Sequence, residues 1–285
     1  MKILWLVSFR PIGKSKSNDL LQNMFVDSVK SLNCDIHFSI TQFDELNVKR
    51  FVKEKKIRCF FSNISKKKLP PGKKYSNKLM LSNALDQFIE KGKFDYLVFS
   101  TADIIVPNNL IEVIKNINLK DFCSFVFPNT QVINGKLKYT FWPHYGIDLI
   151  IFKIDKKKAR KFRKIVKFYN QYDWGIIENF YFAACEVLKL KKINLFKKMQ
   201  VIKFENDFKS FSEDRNWQKN SWKENQRYLI KFLAKYRLNK LYAYGSYYFL
   251  LYKILRLRDL NFKLFLSYLI FYPYNIFRKL ISYFK

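Results

Sequence analysis

Short apolar runs alternate with segments of helical periodicity through the first part of this chain, and that alternation restricts its fold more than any other feature. Ile3–Phe9 reads as a buried strand. After Arg10, Pro11 and Gly13, the residues Leu20, Leu21, Met24 and Val29 recur at helical spacing, with Asn18 or Asp19 placed to cap that helix. Asp35–Thr41 and Ile57–Ser62 read as further strands, on either side of a basic helix over Phe43–Lys55. A polar run, SKKKLPPGKKYSN, is kept irregular by its paired prolines and glycine. Beyond it, Leu79, Leu81, Ala84, Leu85 and Phe88 mark a helix over Lys78–Lys91, and Tyr96–Phe99 is a wholly apolar strand ending at Ser100-Thr101-Ala102-Asp103. Strands separated by helices of this length join through crossovers, which predicts an α/β protein with a mixed, mainly parallel sheet flanked by helices.

After a helix over Asn108–Asn118 the texture changes. Cys123–Phe127, Gln131–Ile133, Lys136–Phe141 and Gly146–Phe152 read as strands, with Asn134-Gly135 forming a hairpin turn. A basic helix follows from Asp155 to about Tyr169, and then YDWGIIENFYFAACEVL opens as a loop and continues as a helix. No repeat period is visible. From Ser221 the chain is helical, aromatic and basic, so residues 1–220 are expected to form the main domain and 221–285 a helical extension.

Charge bears on partners. Lys and Arg total 54 against 23 Asp and Glu, a formal net charge of +31. Nucleic acid, anionic lipid headgroups and phosphorylated small molecules all suit such a charge, and a genomic bias toward Lys, Asn, Phe, Tyr and Ile would also produce it. From Tyr228 onward there is one acid, Asp259. Leu241–Leu255 and Leu260–Tyr274 are strongly apolar, but Lys253, Arg256, Arg258 and Lys263 keep both short of the ~18–20 apolar residues of a spanning helix. Tyr and Phe flanked by cations suit an interfacial helix on an anionic membrane surface; packing on the core or on a second copy are the other readings. MKILWLVSFR lacks a small-residue cleavage site and reads as a strand, and Cys34, Cys59, Cys123 and Cys185 are scattered as in a reducing compartment. The expectation is a cytoplasmic protein, peripheral on the inner face of the membrane.

Chemistry points first to Asp103, just past the end of a buried strand, where open α/β sheets bind ligands. A carboxylate there can hold a divalent cation that bridges two phosphates, and it can equally cap the following turn. The run FDYLVFSTADIIVPNNL resembles the DxD region of GT-A-type glycosyltransferases, with Asp103 matching the second acid and Thr101 standing in place of the first. The resemblance implies a GT-A-like (Rossmann-like) fold over about residues 1–210. It also implies a nucleotide-sugar donor held through Thr101, Ala102 and Asp103, with Mn²⁺ or Mg²⁺ on Asp103. Ser8-Phe9-Arg10 occupies the place where such enzymes begin the nucleotide pocket, with Arg10 on the diphosphate or base edge. Asn77 and Lys78, at the opening of the helix before the DxD strand, match a segment that touches the nucleoside.

Asp173-Trp174-Gly175-Ile176-Ile177-Glu178 is similar to the acceptor-side motif of inverting GT-A enzymes. That implies Glu178, or Asp173, as the base that deprotonates the attacking hydroxyl, and Trp174 as a stacking platform. A capping role for Glu178 and a core role for Trp174 are the structural alternatives. His144 and Asp148, in WPHYGID, fall where the acceptor pocket is lined, and Glu205 or Asp207 where several GT-A families add a late metal ligand. No GxxxxGK[ST], GxGxxG or GxSxG occurs, and two histidines exclude a His-rich metal site. The resulting expectation is a glycosyltransferase acting on a glycan or lipid-linked acceptor in surface polysaccharide or lipooligosaccharide synthesis. A single-stranded nucleic-acid binder, with aromatic rings stacking on bases, and an inactive GT-A-fold binding module are the rival readings.

Overall fold

The computed structural model describes residues 1–43, 47–64, 77–126, 130–133, 136–139, 147–166, 177–195, 198–204, 215–238 and 240–243. The expected alternation is present: β1 (Lys2–Val7), α1 (Lys16–Lys30), β2 (Asp35–Phe43), α2 (Val48–Glu54), β3 (Cys59–Ile64), α3 (Asn77–Glu90) and β4 (Tyr96–Ser100). A two-residue strand β5 (Ile104–Ile105), helix α4 (Leu110–Lys115), β6 (Phe122–Val126), β7 (Thr130–Ile133), β8 (Lys136–Tyr139) and β9 (Leu149–Lys153) follow. The remainder comprises α5 (Lys156–Val166), α6 (Ile177–Leu188), β10 (Lys191–Asn194), β11 (Ile202–Phe204), α7 (Arg215–Lys235) and a 3-10 turn over Lys240–Ala243.

A seven-stranded sheet runs in the order β10-β6-β9-β4-β1-β2-β3, and a smaller sheet in the order β5-β11-β7-β8. Strands β1 to β4 are parallel, while β9 is antiparallel to both β4 and β6. Period-two alternation along β1 divides the core. Ile3, Trp5 and Val7 face α1, α2 and α4 through Phe25, Phe51 and Leu110. Leu4 and Leu6 face the opposite layer, where α3, α5, α6 and α7 contribute Phe88, Phe162, Phe180 and Phe232. Helix α7 thus buries Leu229, Phe232 and Leu233 in the same core as the sheet. No described helix is long and apolar enough to cross a membrane.

Several expected boundaries move, for local reasons. Ser15 caps α1, accepting from the Asn18 amide at 3.4 Å. Asn18 and Asp19 instead hold the preceding loop, taking hydrogen bonds from the Arg10 guanidinium and from the Gly13 amide. Gly13 sits at φ +88°, a conformation that suits glycine. Helix α2 starts only at Val48 because Asn47 is left-handed, at φ 60°.

Burial also sets a pH response. His37 on β2 is almost fully covered, stacked on Phe60 at 5.8 Å and meeting Phe94 edge-on at 5.6 Å. Burial, and then the Arg58 charge, hold its imidazole below the ordinary histidine range, against the pull of Asp35. A depressed folded-state pKa contributes stability that is complete above the unfolded value of about 6.5 and is lost as pH falls through the folded one. Thermal unfolding at pH 7 and pH 5 is therefore expected to show a drop in Tm that His37→Gln reduces; an identical drop in the variant would refute the assignment.

Candidate functional site

Because β1, β2, β3 and β4 run parallel, the segments leaving their C-terminal ends share one edge of the sheet. Ser8 and Arg10 leave β1, Asn77 and Lys78 open α3 after β3, and Thr101, Ala102 and Asp103 leave β4. The strand order reverses between β1 and β4, the crevice where open α/β sheets bind ligands. Arg10 and Asp103 flank that crevice, with Arg10 Nη2 3.9 Å from Asp103 Oδ2.

Two further strands complete the cluster. Antiparallel β9 sets Leu149 opposite Ser100, which brings Asp148 beside Thr101. The Thr101 amide donates to the Asp148 carbonyl at 3.1 Å, and the Thr101 hydroxyl to Asp148 Oδ1 at 3.2 Å. Asp103 runs directly into β5, and β11 pairs with β5 so that Lys203 lies opposite Ile104. Lys203 Nζ then donates to Asp103 Oδ1 at 3.1 Å and to Asp148 Oδ1 at 2.6 Å. Lys203 is only 7% exposed, so its charge depends on these carboxylates rather than on water.

The cluster is electrostatically self-consistent. Burial pushes the Asp103 carboxyl up, but the Lys203 charge, hydrogen bonds from Thr101 and Lys203, and Arg10 together hold it below the usual carboxylate range. Burial pushes the Lys203 ammonium down, and Asp148 and Asp103 more than reverse it. Both groups are therefore ionised at neutral pH. Among the described residues two carboxylates meet two cations, and of these four Arg10 is the most exposed, its side chain at 42%.

Rigid contacts support the crevice. Gln42 accepts from the Phe9 amide and donates to the Phe9 carbonyl, while Gln22 accepts from the Arg10 amide at 2.6 Å. Trp5 Nε1 donates to Ser100 Oγ at 2.8 Å, fixing the end of β4. On the opposite layer, Lys78 is half-buried, and burial together with nearby Arg163 lowers its ammonium pKa. Arg163 is itself clamped on Asp86 through two hydrogen bonds.

Glu178 stands on the first turn of α6, a position where the helix N-terminus favours a carboxylate. One turn later, buried Tyr181 places its ring 5.2 Å from that of Phe99, so the start of α6 lies over the end of β4. Burial and the Glu178 charge push the Tyr181 hydroxyl above the ordinary tyrosine range, keeping it neutral. Asn179 Nδ2 donates to the Tyr242 carbonyl at 2.8 Å, joining this turn to the end of the described chain.

Of the residues singled out from sequence, Arg10, Thr101, Asp103 and Asp148 converge directly. Asp173, Trp174, His144, Glu205 and Asp207 lie outside the described residues, as does the Asn77 side chain. Lys203 is the member that sequence reasoning missed. The signal for it in the sequence is a lysine set among the apolar residues Val201, Ile202 and Phe204, just before the acids Glu205 and Asp207.

That lysine bears on the metal expected at Asp103. A divalent cation needs several oxygen ligands turned toward one point. Here the point faced by both carboxylates holds an ammonium, Thr101 replaces an acid, and among the described residues no group of three or more His, Cys, Asp or Glu converges. Among the described residues, the donor set around Lys203 does not fit a divalent cation.

No protein-family model matches the chain, and no curated protein sequence does. Solved structures do match. A complex of S. aureus TarS residues 1–349 with UDP-GlcNAc superimposes with a TM-score of 0.55 at 10% identity, over 85% of this chain and 69% of that one. A putative nucleotide-diphospho-sugar transferase from Desulfovibrio desulfuricans G20 aligns at 15% identity over 81% of this chain and 97% of that one, with a TM-score of 0.45. The fold is of the GT-A type, a mixed α/β architecture with a mainly parallel seven-stranded sheet flanked by helices.

Proposed function

We propose that the protein is a glycosyltransferase that moves a sugar from a nucleotide-sugar donor to a hydroxyl of a glycan or lipid-linked glycan. The observation that carries this reading is the buried Asp103–Lys203–Asp148 cluster, with Arg10 at its rim, at the switch point of a GT-A-type sheet. That S. aureus TarS, which shares the fold, was solved with UDP-GlcNAc supports a nucleotide sugar as the donor class.

In this reading Arg10 meets the diphosphate, its fork held by Asp103 and Asn18, while Ser8, Asn77 and Lys78 bound the nucleoside. The acceptor oxygen attacks the anomeric carbon, its proton passes to Glu178, and the bond to the diphosphate breaks. Negative charge then grows on the leaving group, where Arg10 stabilises it. Asp173 is the alternative base, with Trp174 and His144 on the acceptor side. A lipid-linked acceptor at an anionic membrane surface suits the acid-poor tail. It also suits α5, whose Lys156, Lys157, Arg160, Lys161 and Lys164 are exposed.

The test is thermal stabilisation by UDP, GDP, CDP and CMP, for the native chain beside Arg10→Ala and Asp103→Ala. One nucleotide at ~100 times its Kd is expected to add about 2.7 kcal/mol to the native protein, and far less to either variant. A folded native protein that no nucleotide stabilises, with or without Mn²⁺ or Mg²⁺, would remove the transferase reading.

A further inference from the structure

Taking the transferase reading as its basis, we infer that the Lys203 ammonium occupies the place of a divalent cation at the donor site. Donor binding then needs no metal, and deleting the ammonium turns the Asp103–Asp148 pair into a metal site.

Three observations carry this. The first is position. Lys203 Nζ lies 3.1 Å from Asp103 Oδ1 and 2.6 Å from Asp148 Oδ1, so two carboxylate oxygens from different strands converge on one nitrogen. The β11 register, with Lys203 opposite Ile104 on one side and Gln131 on the other, fixes the backbone that delivers it.

The second is charge. Lys203 and Arg10 together bring two positive charges to this crevice, the charge of one divalent ion, and Asp103 faces both. A metal entering beside them would meet two carboxylates whose charge is already balanced by these two cations among the described residues, and its electrostatic gain would be small.

The third is Thr101. An acid at this position would add a third negative charge that one ammonium and one guanidinium could not balance. Thr101 instead donates its hydroxyl to Asp148, supporting the carboxylate that holds Lys203. The neutral residue and the buried lysine therefore make one consistent substitution.

Calorimetric titration with Mn²⁺ alone, in the absence of nucleotide, tests the site directly. The native chain is expected to take up no Mn²⁺ at this position, whereas Lys203→Ala binds one Mn²⁺ that Lys203→Ala combined with Asp103→Asn does not. Nucleotide affinity of the native chain is expected to be the same, within about twofold, in EDTA and in Mn²⁺. Mn²⁺ uptake by the native chain that disappears in Asp103→Asn would overturn the inference, as would a fall in nucleotide affinity of about tenfold or more in EDTA. If Lys203→Ala does not fold, both native-chain measurements still decide. Absence of nucleotide binding in either condition would instead strike the transferase reading, while the Mn²⁺ titration continues to report on Lys203 alone.

Discussion

Replacing Lys203 by methionine is expected to destabilise the protein by about 3–5 kcal/mol, the usual cost of removing one partner from a buried ion pair. The side chain is similar in length, so little packing is lost; what remains is two buried carboxylates with their shared cation gone. Urea unfolding of Lys203→Met beside the triple variant Lys203→Met, Asp103→Asn, Asp148→Asn separates charge from shape. The triple variant should recover most of the loss, because neutral amides are far cheaper to bury than unpaired carboxylates. A single variant within about 0.5 kcal/mol of the native chain would mean that the ammonium is not what stabilises the pair. The pH signs follow from the same groups. The depressed Asp103 pKa contributes stability present above the ordinary carboxylate range and lost as pH falls through its folded value. The raised Lys203 pKa contributes stability present below the ordinary lysine range and lost as pH rises through its folded value. Between those limits the cluster's contribution is flat.

Glu178→Gln is expected to lower kcat by about 10²–10⁴, the usual worth of a positioned general base, while leaving donor affinity nearly unchanged. The amide is isosteric and α6 is held elsewhere, by Phe180 and Phe182 in the core and by Asn179 on the Tyr242 carbonyl, so the fold should survive. Steady-state rates with the donor identified by thermal stabilisation would provide the check. Loss of the acidic limb of the pH–rate profile should accompany the fall in kcat, because that limb reports protonation of the base. A kcat within about threefold of the native value would assign the base elsewhere, and Asp173→Asn is the comparison that would then matter.

How far the sequence could be read depended on element length and on range. β1 through β4 and helices α1 and α3 were legible because each carries enough apolar residues to display its period. β5, with two residues, and β11, with three, are too short to show any period, and β10 is half lysine. The expected helix over Phe43–Lys55 was overlong because nothing local announced the left-handed Asn47. At the site, Asp103 could be found from its position after an apolar strand, and Arg10 from the loop after β1. Their joining to Asp148 and Lys203 could not, since it depends on pairings between β4 and β9 and between β5 and β11. Lysine also reads as a surface residue in a chain so rich in it, and only its partners explain why this one is inside.

Because Lys203 arrives a hundred residues after Asp103 and 55 after Asp148, the order of synthesis matters. Strands β1 to β9 are complete by Lys153, yet the two acids at their junction gain Lys203 only after β11 has left the ribosome. Until then Asp103 has Arg10 as a cation partner and Asp148 has the Thr101 hydroxyl, while the Lys203 contacts that tie the two acids together are not yet made. Closing the cluster therefore requires synthesis to extend past β11, the last strand among the described residues, so its geometry is set late by a segment remote in sequence from both acids.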